Sequence, residues 1–231
     1  MKYRTLYLVL HTDKPVKEDA SRLRGYIGNQ FPDYPVLHHH ADRPILTYPR
    51  VQYKIIEGTP SILGIEEGAD ILKKISGNIP ELLLASSCYT VEQKVMYEKT
   101  LAIGPGHEQI QYRFLSPWLA FNSRNFQSYR EMKDWKEKKA FLNNILVGNI
   151  LSMAKGLGIV VERRLYAHSH IEEVPTMYKG IAMTGFSGEF RINFSLPDFF
   201  GIGKGVSHGF GTVKRVVKRP EPNTGEFIKG R

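Results

Sequence analysis

Polar and apolar residues alternate from the first residues of the chain. Over residues 2–11, Tyr3, Thr5, Tyr7 and Val9 interleave with Leu6, Leu8 and Leu10, the two faces of a β-strand. The period then changes. Between 17 and 29 the apolar residues Ala20, Leu23 and Ile27 return at helical spacing, and Gly28-Asn29 predicts the helix end. Residues 31–44, rich in proline and histidine, carry no period and read as a loop. Strands are predicted at 45–48 and 51–56, broken at Pro49, and again at 61–65 after a Glu57-Gly58 turn. A helix over 66–75 turns Ala69, Leu72 and Ile75 inward, and 82–85 and 89–97 have strand character. Strand, helix, strand, strand, helix, strand is the ferredoxin-like plan of many RNA-binding modules.

After Gly104-Pro105-Gly106 the plan begins again. A strand at 109–115 leads through polar, asparagine-rich sequence to a helix over 138–157, with Phe141, Ile145, Ile150, Leu151 and Ala154 as its apolar positions. Strands follow at 159–171, 178–186 and 190–194, then a glycine-rich stretch at 201–211 and a basic alternating run at 212–217. The expected fold is therefore α+β, two tandem ferredoxin-like, RRM-like domains with antiparallel sheets over 1–105 and 106–220, followed by a tail at 221–231. No residue-level repeat relates the halves; element order carries the duplication.

Composition adds a partner class. The 231 residues carry a formal charge of +9 together with 12 tyrosines and 12 phenylalanines, a combination suited to neutralising phosphates and stacking bases, although many ordinary proteins are basic. Cys88 is the single cysteine, so neither an intramolecular disulfide nor a cysteine-type zinc site can form, which fits a reducing compartment. Residues 1–11 lack the long apolar core of a signal peptide, and no run approaches the ~20 apolar residues of a membrane span. A soluble, cytoplasmic protein is expected.

Five glycines stand in residues 201–211, interleaved with Lys204, Ser207 and His208. Such density suits backbone that must adopt positive φ or approach something closely. With its amides exposed beside positive charge, the stretch reads as a polyanion cradle; a glycine-rich hairpin serving only a tight turn is the competing reading. The spacing matches neither a nucleoside-triphosphate loop nor a dinucleotide fingerprint. Gly203, Gly205, Gly209 and Gly211 would offer backbone, and Lys204, His208, Lys214 and Arg215 would grip phosphates. Arg22 and Arg24 on the first helix face either nucleic acid or solvent.

The chemical feature is His38-His39-His40. An imidazole near neutral pH can take a proton from one oxygen and return it to another, as cleavage of RNA by its own 2′-hydroxyl requires. In an extended segment His38 and His40 share a side, Tyr48 can return across the loop as a donor, and Lys54 offers charge. Three imidazoles also suit zinc, copper or nickel, but Asp42 is the only carboxylate close by. His168 and His170, alternating with Glu172, read as RNA contacts or structure, with His208 as a third member of such a group.

Residues 194–213, in which Gly209-Phe210-Gly211 runs into a basic strand, resemble the C-terminal signature of CRISPR-associated Cas-six endoribonucleases. The stretches 23–31 and 44–68, including Tyr48-Pro49 and Gly64-Ile65-Glu66-Glu67-Gly68, resemble the b subtype, so the resemblance spans most of the chain. It implies the tandem RAMP architecture and an endoribonuclease that binds repeat RNA in precursor crRNA and cuts it without metal or other cofactor, leaving a 2′,3′-cyclic phosphate and a 5′-hydroxyl. It also implies catalysis by a histidine of the loop, His40 first and His38 second, with Tyr48; the family pattern of His-x-His is here three adjacent histidines. The competing class is a non-catalytic RNA-binding subunit of a CRISPR effector complex. Contacts with effector subunits are compatible with either, and long strands and aromatic surfaces that need cover leave room for a homodimer.

Overall fold

The computed structural model describes residues 1–38 and 48–217. The first half is built on β1 (Lys2–Thr12), which pairs antiparallel with β3 (Thr59–Ile65) on one side and β5 (Ser87–Ala102) on the other. β2 (Val51–Ile56) adds to β3, and β4 (Glu81–Leu84) to β5, giving the order β2-β3-β1-β5-β4. The alternation in β1 decides its faces. Leu6, Leu8 and Leu10, at most 1% exposed, pack with Leu23 and Ile27 of α1 (Ala20–Gln30) and Leu72 and Ile75 of α3 (Glu67–Ile75). Asp19 caps α1 by accepting from the Arg22 amide, satisfying one of the donors a helix start leaves open. The predicted loop after α1 contains a short helical turn, α2 (Pro35–His38).

The second half repeats the topology. β6 (Gly104–Phe114), β7 (Ala167–Tyr178), β8 (Ile181–Ser195) and β9 (Val213–Arg215) lie in the order β7-β8-β6-β9, the same placement of first, second, third and last strand as β2-β3-β1-β5. The sheet is covered by α5 (Trp135–Gly156). Where the first half has α3 before its last strand, the second has residues 196–212, whose only helical piece is a 3-10 turn at Val206–His208. Both halves are ferredoxin-like, as the pattern predicted, and the glycine stretch stands in place of the second helix.

Four local expectations change. Residues 159–166 are not strand; Asn193 holds them by donating to the Arg164 carbonyl and accepting from the Tyr166 amide. The strands expected at 178–186 and 190–194 are one strand, β8, with Gly188 inside it. The buried stripe of α5 is Leu142, Leu146, Ile150, Met153 and Ala154; Ile150 and Ala154 are as expected, but the stripe begins one position beyond the expected Phe141 and Ile145, and Leu151 is 40% exposed. An unpredicted helix, α4 (Ser123–Glu131), is capped by Asn122 and buries only Tyr129, too little to print a period on the sequence.

The halves share a core. Tyr3, Tyr48, Leu63, Ile65 and Ile103 of the first half pack into the cluster of the second, and the Tyr3 hydroxyl donates to the Leu157 carbonyl at 2.6 Å. No helix among the described residues is long and apolar enough to cross a membrane.

Candidate nucleic-acid interface

The glycine stretch is packed against the first half of the chain. The Gly201 amide donates to Gln52 Oε1 of β2 at 3.0 Å, and the Tyr48 hydroxyl donates to the Gly201 carbonyl at 2.8 Å. Further along, Gly209 takes φ +88°; a side chain there would meet the Ala20 Cβ at 2.7 Å and the Tyr53 carbonyl at 2.9 Å. Here glycine serves both requirements, positive φ and close approach. The amides of Lys204, His208, Gly209 and Gly211 donate to the carbonyls of Leu119, Gly205, Val206 and Pro117. Much of the expected amide cradle is therefore committed to internal bonds, and Gly209 and Gly211 are buried.

One arc of the stretch faces outward. Gly203, Lys204, Gly205 and Ser207, with Tyr48, Pro49 and Asn149, line a cavity of about 480 Å³. Tyr48 is 7% exposed and stacks on Phe200, and burial pushes its hydroxyl pKa well above the ordinary tyrosine value. It stands at the far end of the histidine segment. At the near end His38 closes α2, half-buried, its ring against Gly28; its carbonyl accepts from Arg24, whose Nη1 lies 3.4 Å from His208 Nε2. His208 Nδ1 lies 3.1 Å from Ser21 Oγ. Arg24 Nε is buried without a hydrogen-bond partner among the described residues. His39 and His40 lie outside the described residues.

The remaining expected contacts divide by location. Arg22 is exposed on the outer side of α1. Arg215 lines a different groove, of about 650 Å³, with Tyr7, Tyr97, Lys99 and Phe199, while Lys214 Nζ sits 5.9 Å over the Phe199 ring. The single basic edge expected for Lys204, Lys214 and Arg215 is thus split, with the buried Thr212 between its two parts. Lys54, expected as an accessible charge, is 1% exposed between the halves, 3.3 Å from Gln52 Oε1 and 3.4 Å from Thr212 Oγ1. Burial lowers its pKa to about 7. His168 and His170 are exposed on β7 opposite Arg191 and Glu189; His170 is eight residues, ~26 Å of strand, from Tyr178, which abuts His208, so the three histidines form no common site.

Sequence reasoning missed Gln52 and Tyr178. Gln52 looks like any polar strand residue, yet it is fully buried and accepts from both Gly201 and Lys54. Tyr178 was readable only as the beginning of a strand; the Lys179-Gly180 pair after it was the available signal of a hairpin turn.

Comparison with known proteins agrees with this architecture. The family profile of the Cas6b N-terminal domain matches residues 1–102, and that of the Cas6b C-terminal domain matches residues 104–216. A crystal structure of Cas6b superposes with a TM-score of 0.88 at 33% identity, covering 94% of this chain and 100% of the other. A second, described as the CRISPR RNA processing endoribonuclease Cas6b, gives 0.77 at 32% identity with the same coverage. An uncharacterised protein of Methanocaldococcus jannaschii is 44% identical over 140 residues, 60% of this chain and 95% of its own length. With both halves matched in order and nearly the whole chain superposed, the protein belongs to the Cas6b family.

Proposed function

We propose that this chain binds CRISPR repeat RNA and cuts it as a metal-independent endoribonuclease. His40 takes the proton from a 2′-hydroxyl, and the oxygen attacks the adjacent phosphorus. The 5′-oxygen leaves with a proton returned by a second group, and His38 is the second histidine proposed for this chemistry. The products are a 2′,3′-cyclic phosphate and a 5′-hydroxyl. Arg24 supplies positive charge toward the phosphorane. Tyr48 is given a positioning task, since its hydroxyl is buried on the Gly201 carbonyl.

One observation carries the reading beyond family membership. The two ends of the histidine segment meet the two ends of the glycine stretch: Arg24 touches the His38 carbonyl and His208, and Tyr48 bonds Gly201. Between these ties lies the cavity lined by Lys204 and Ser207, where a phosphate would find charge and backbone.

The test is cleavage of a labelled cognate repeat RNA, in EDTA, by wild type and by His40→Ala, and on RNA with a 2′-deoxy at the cut. Cleavage in EDTA that vanishes with either change is expected. Loss of wild-type cleavage in EDTA would overturn metal independence. Tight binding without cleavage under any condition would assign the chain to RNA-holding subunits instead.

A further inference from the structure

We propose that the ring of Tyr178, at the tip of the β7–β8 hairpin, is a stacking platform for one base of a single-stranded stretch of the repeat, with Lys204 and Lys179 reaching its flanking phosphates. The proposal rests on the RNA-binding part of the reading above.

The hairpin is built to project. β6 pairs with β8 only between residues 189 and 195, Trp118 bridges the same edge at Phe186, and beyond that bridge the β7–β8 tip runs on as a two-stranded ribbon. Tyr178 and Ile181 close it around Lys179 (φ 51°) and Gly180 (φ 76°), the left-handed pair of a tight primed turn. Residues of this tip carry apolar surface in the open: Met177 is 59% and Ile181 66% exposed.

The ring itself is braced by the glycine stretch. It lies perpendicular to Phe210 and to His208, with centroids 5.5 Å away in each case, and remains partly exposed. A tyrosine needed only to close a turn would have no reason to be braced by the glycine stretch of a different element. Its position is also particular. Tyr178, Lys204, Phe121 and Asn122 line both the 480 Å³ cavity beside Tyr48 and a second cavity of about 940 Å³ between the hairpin and α4. The ring therefore stands where a strand passing from one cavity to the other must cross.

Chemistry completes the assignment. The Nζ atoms of Lys204 and Lys179 each lie 5.7 Å from the ring centroid. An exposed ammonium over an aromatic face interacts more weakly than a stacked base, so an arriving base displaces it. The released ammonium, on its four-carbon stem, stays within reach of the phosphates on either side. Stacking of this kind tolerates any base, so it sets the path of the strand and leaves sequence to other contacts.

The experiment uses the full chain and the repeat RNA blocked by a 2′-deoxy at the cut, with 2-aminopurine placed at successive positions. Wild type should quench one position strongly, Tyr178→Phe should keep that quench and its Kd within about twofold, and Tyr178→Leu should relieve it and raise Kd about tenfold. Lys204→Ala should weaken binding with the quench retained. Thermal melting of each variant separates these effects from misfolding. Unchanged Kd and quench in Tyr178→Leu would overturn the platform, and equal loss in Tyr178→Phe would point to the hydroxyl instead. Because binding is read on uncleavable RNA, failure of the catalytic reading shows as a wild type that binds this RNA but leaves the unblocked repeat intact, and it does not disturb this result.

Discussion

The Tyr48 hydroxyl donates to the Gly201 carbonyl at 2.8 Å across 153 residues of sequence, joining the segment that carries the histidines to the stretch that carries the glycines. Both groups are buried, so neither has water to fall back on. Tyr48→Phe leaves the carbonyl unsatisfied and should cost about 1–3 kcal/mol of stability in urea denaturation. On the proposed positioning role, cleavage should fall while RNA affinity stays near wild type, and cooling the assay should recover part of the rate. A variant of full stability with cleavage abolished at every temperature would restore Tyr48 to direct catalysis.

Lys54 gives the junction between the halves a pH dependence. Its pKa is lowered to about 7 from 10.5 by burial, so between those values the unfolded chain holds a proton that the folded chain does not. Stability from this group therefore rises with pH from about 7 toward 10.5, by about 1.4 kcal/mol per pH unit, and the destabilisation is fully present below about 7. Lys54→Met leaves Gln52 bonded to Gly201 and Thr212 bonded to Gly209, so no partner is orphaned. The variant should be the more stable form at pH 7, with its advantage shrinking as pH rises to 9. A wild-type-to-variant difference that does not move with pH would mean the ammonium is held in some other way.

Gly209 packs directly against α1. Gly209→Ala forces a side chain into φ +88° and against both the Ala20 Cβ and the Tyr53 carbonyl, and should cost at least about 2 kcal/mol. Ala20→Gly removes one of the two obstacles. The double variant should therefore be more stable than the sum of the single effects, by about 0.5 kcal/mol or more in a double-mutant cycle. Strict additivity would show that the loop moves away from α1 instead of pressing on it.

The strand alternation at Leu6, Leu8 and Leu10 and the helical spacing of Ala20, Leu23 and Ile27 were legible because each buries one face against one layer, the condition under which period reports structure. α4 was not legible, because it buries Tyr129 alone. The glycines signalled positive φ and close approach correctly in kind, but the partner of Gly209 is protein, and nothing local in sequence separates an amide that meets a phosphate from one that meets a carbonyl. Lys54 shows the same limit from the other side. A lysine on a strand reads as exposed charge, and only the packing of the two halves decides that it is sealed between Gln52 and Thr212.

That packing also sorts the basic residues into two independent groups. Lys204 stands at the cavity by Tyr48, while Arg215 lines the groove with Tyr7 and Tyr97, with Lys214 over Phe199. If repeat RNA contacts both places, each lost phosphate contact should flatten the dependence of log K on log salt by about 0.7 for single-stranded RNA. Lys204→Ala should lower the slope by about 0.7, the Lys214→Ala/Arg215→Ala pair by about 1.4, and all three together by about 2.1. The free-energy losses should add within about 0.5 kcal/mol, because the groups share no partner. Filter binding at four or five salt concentrations measures all of this. A triple variant no weaker than the pair would mean that the strand runs through the 650 Å³ groove without reaching Lys204. Full loss from Lys204→Ala with none from the pair would confine RNA to the side of the molecule where the histidine segment ends.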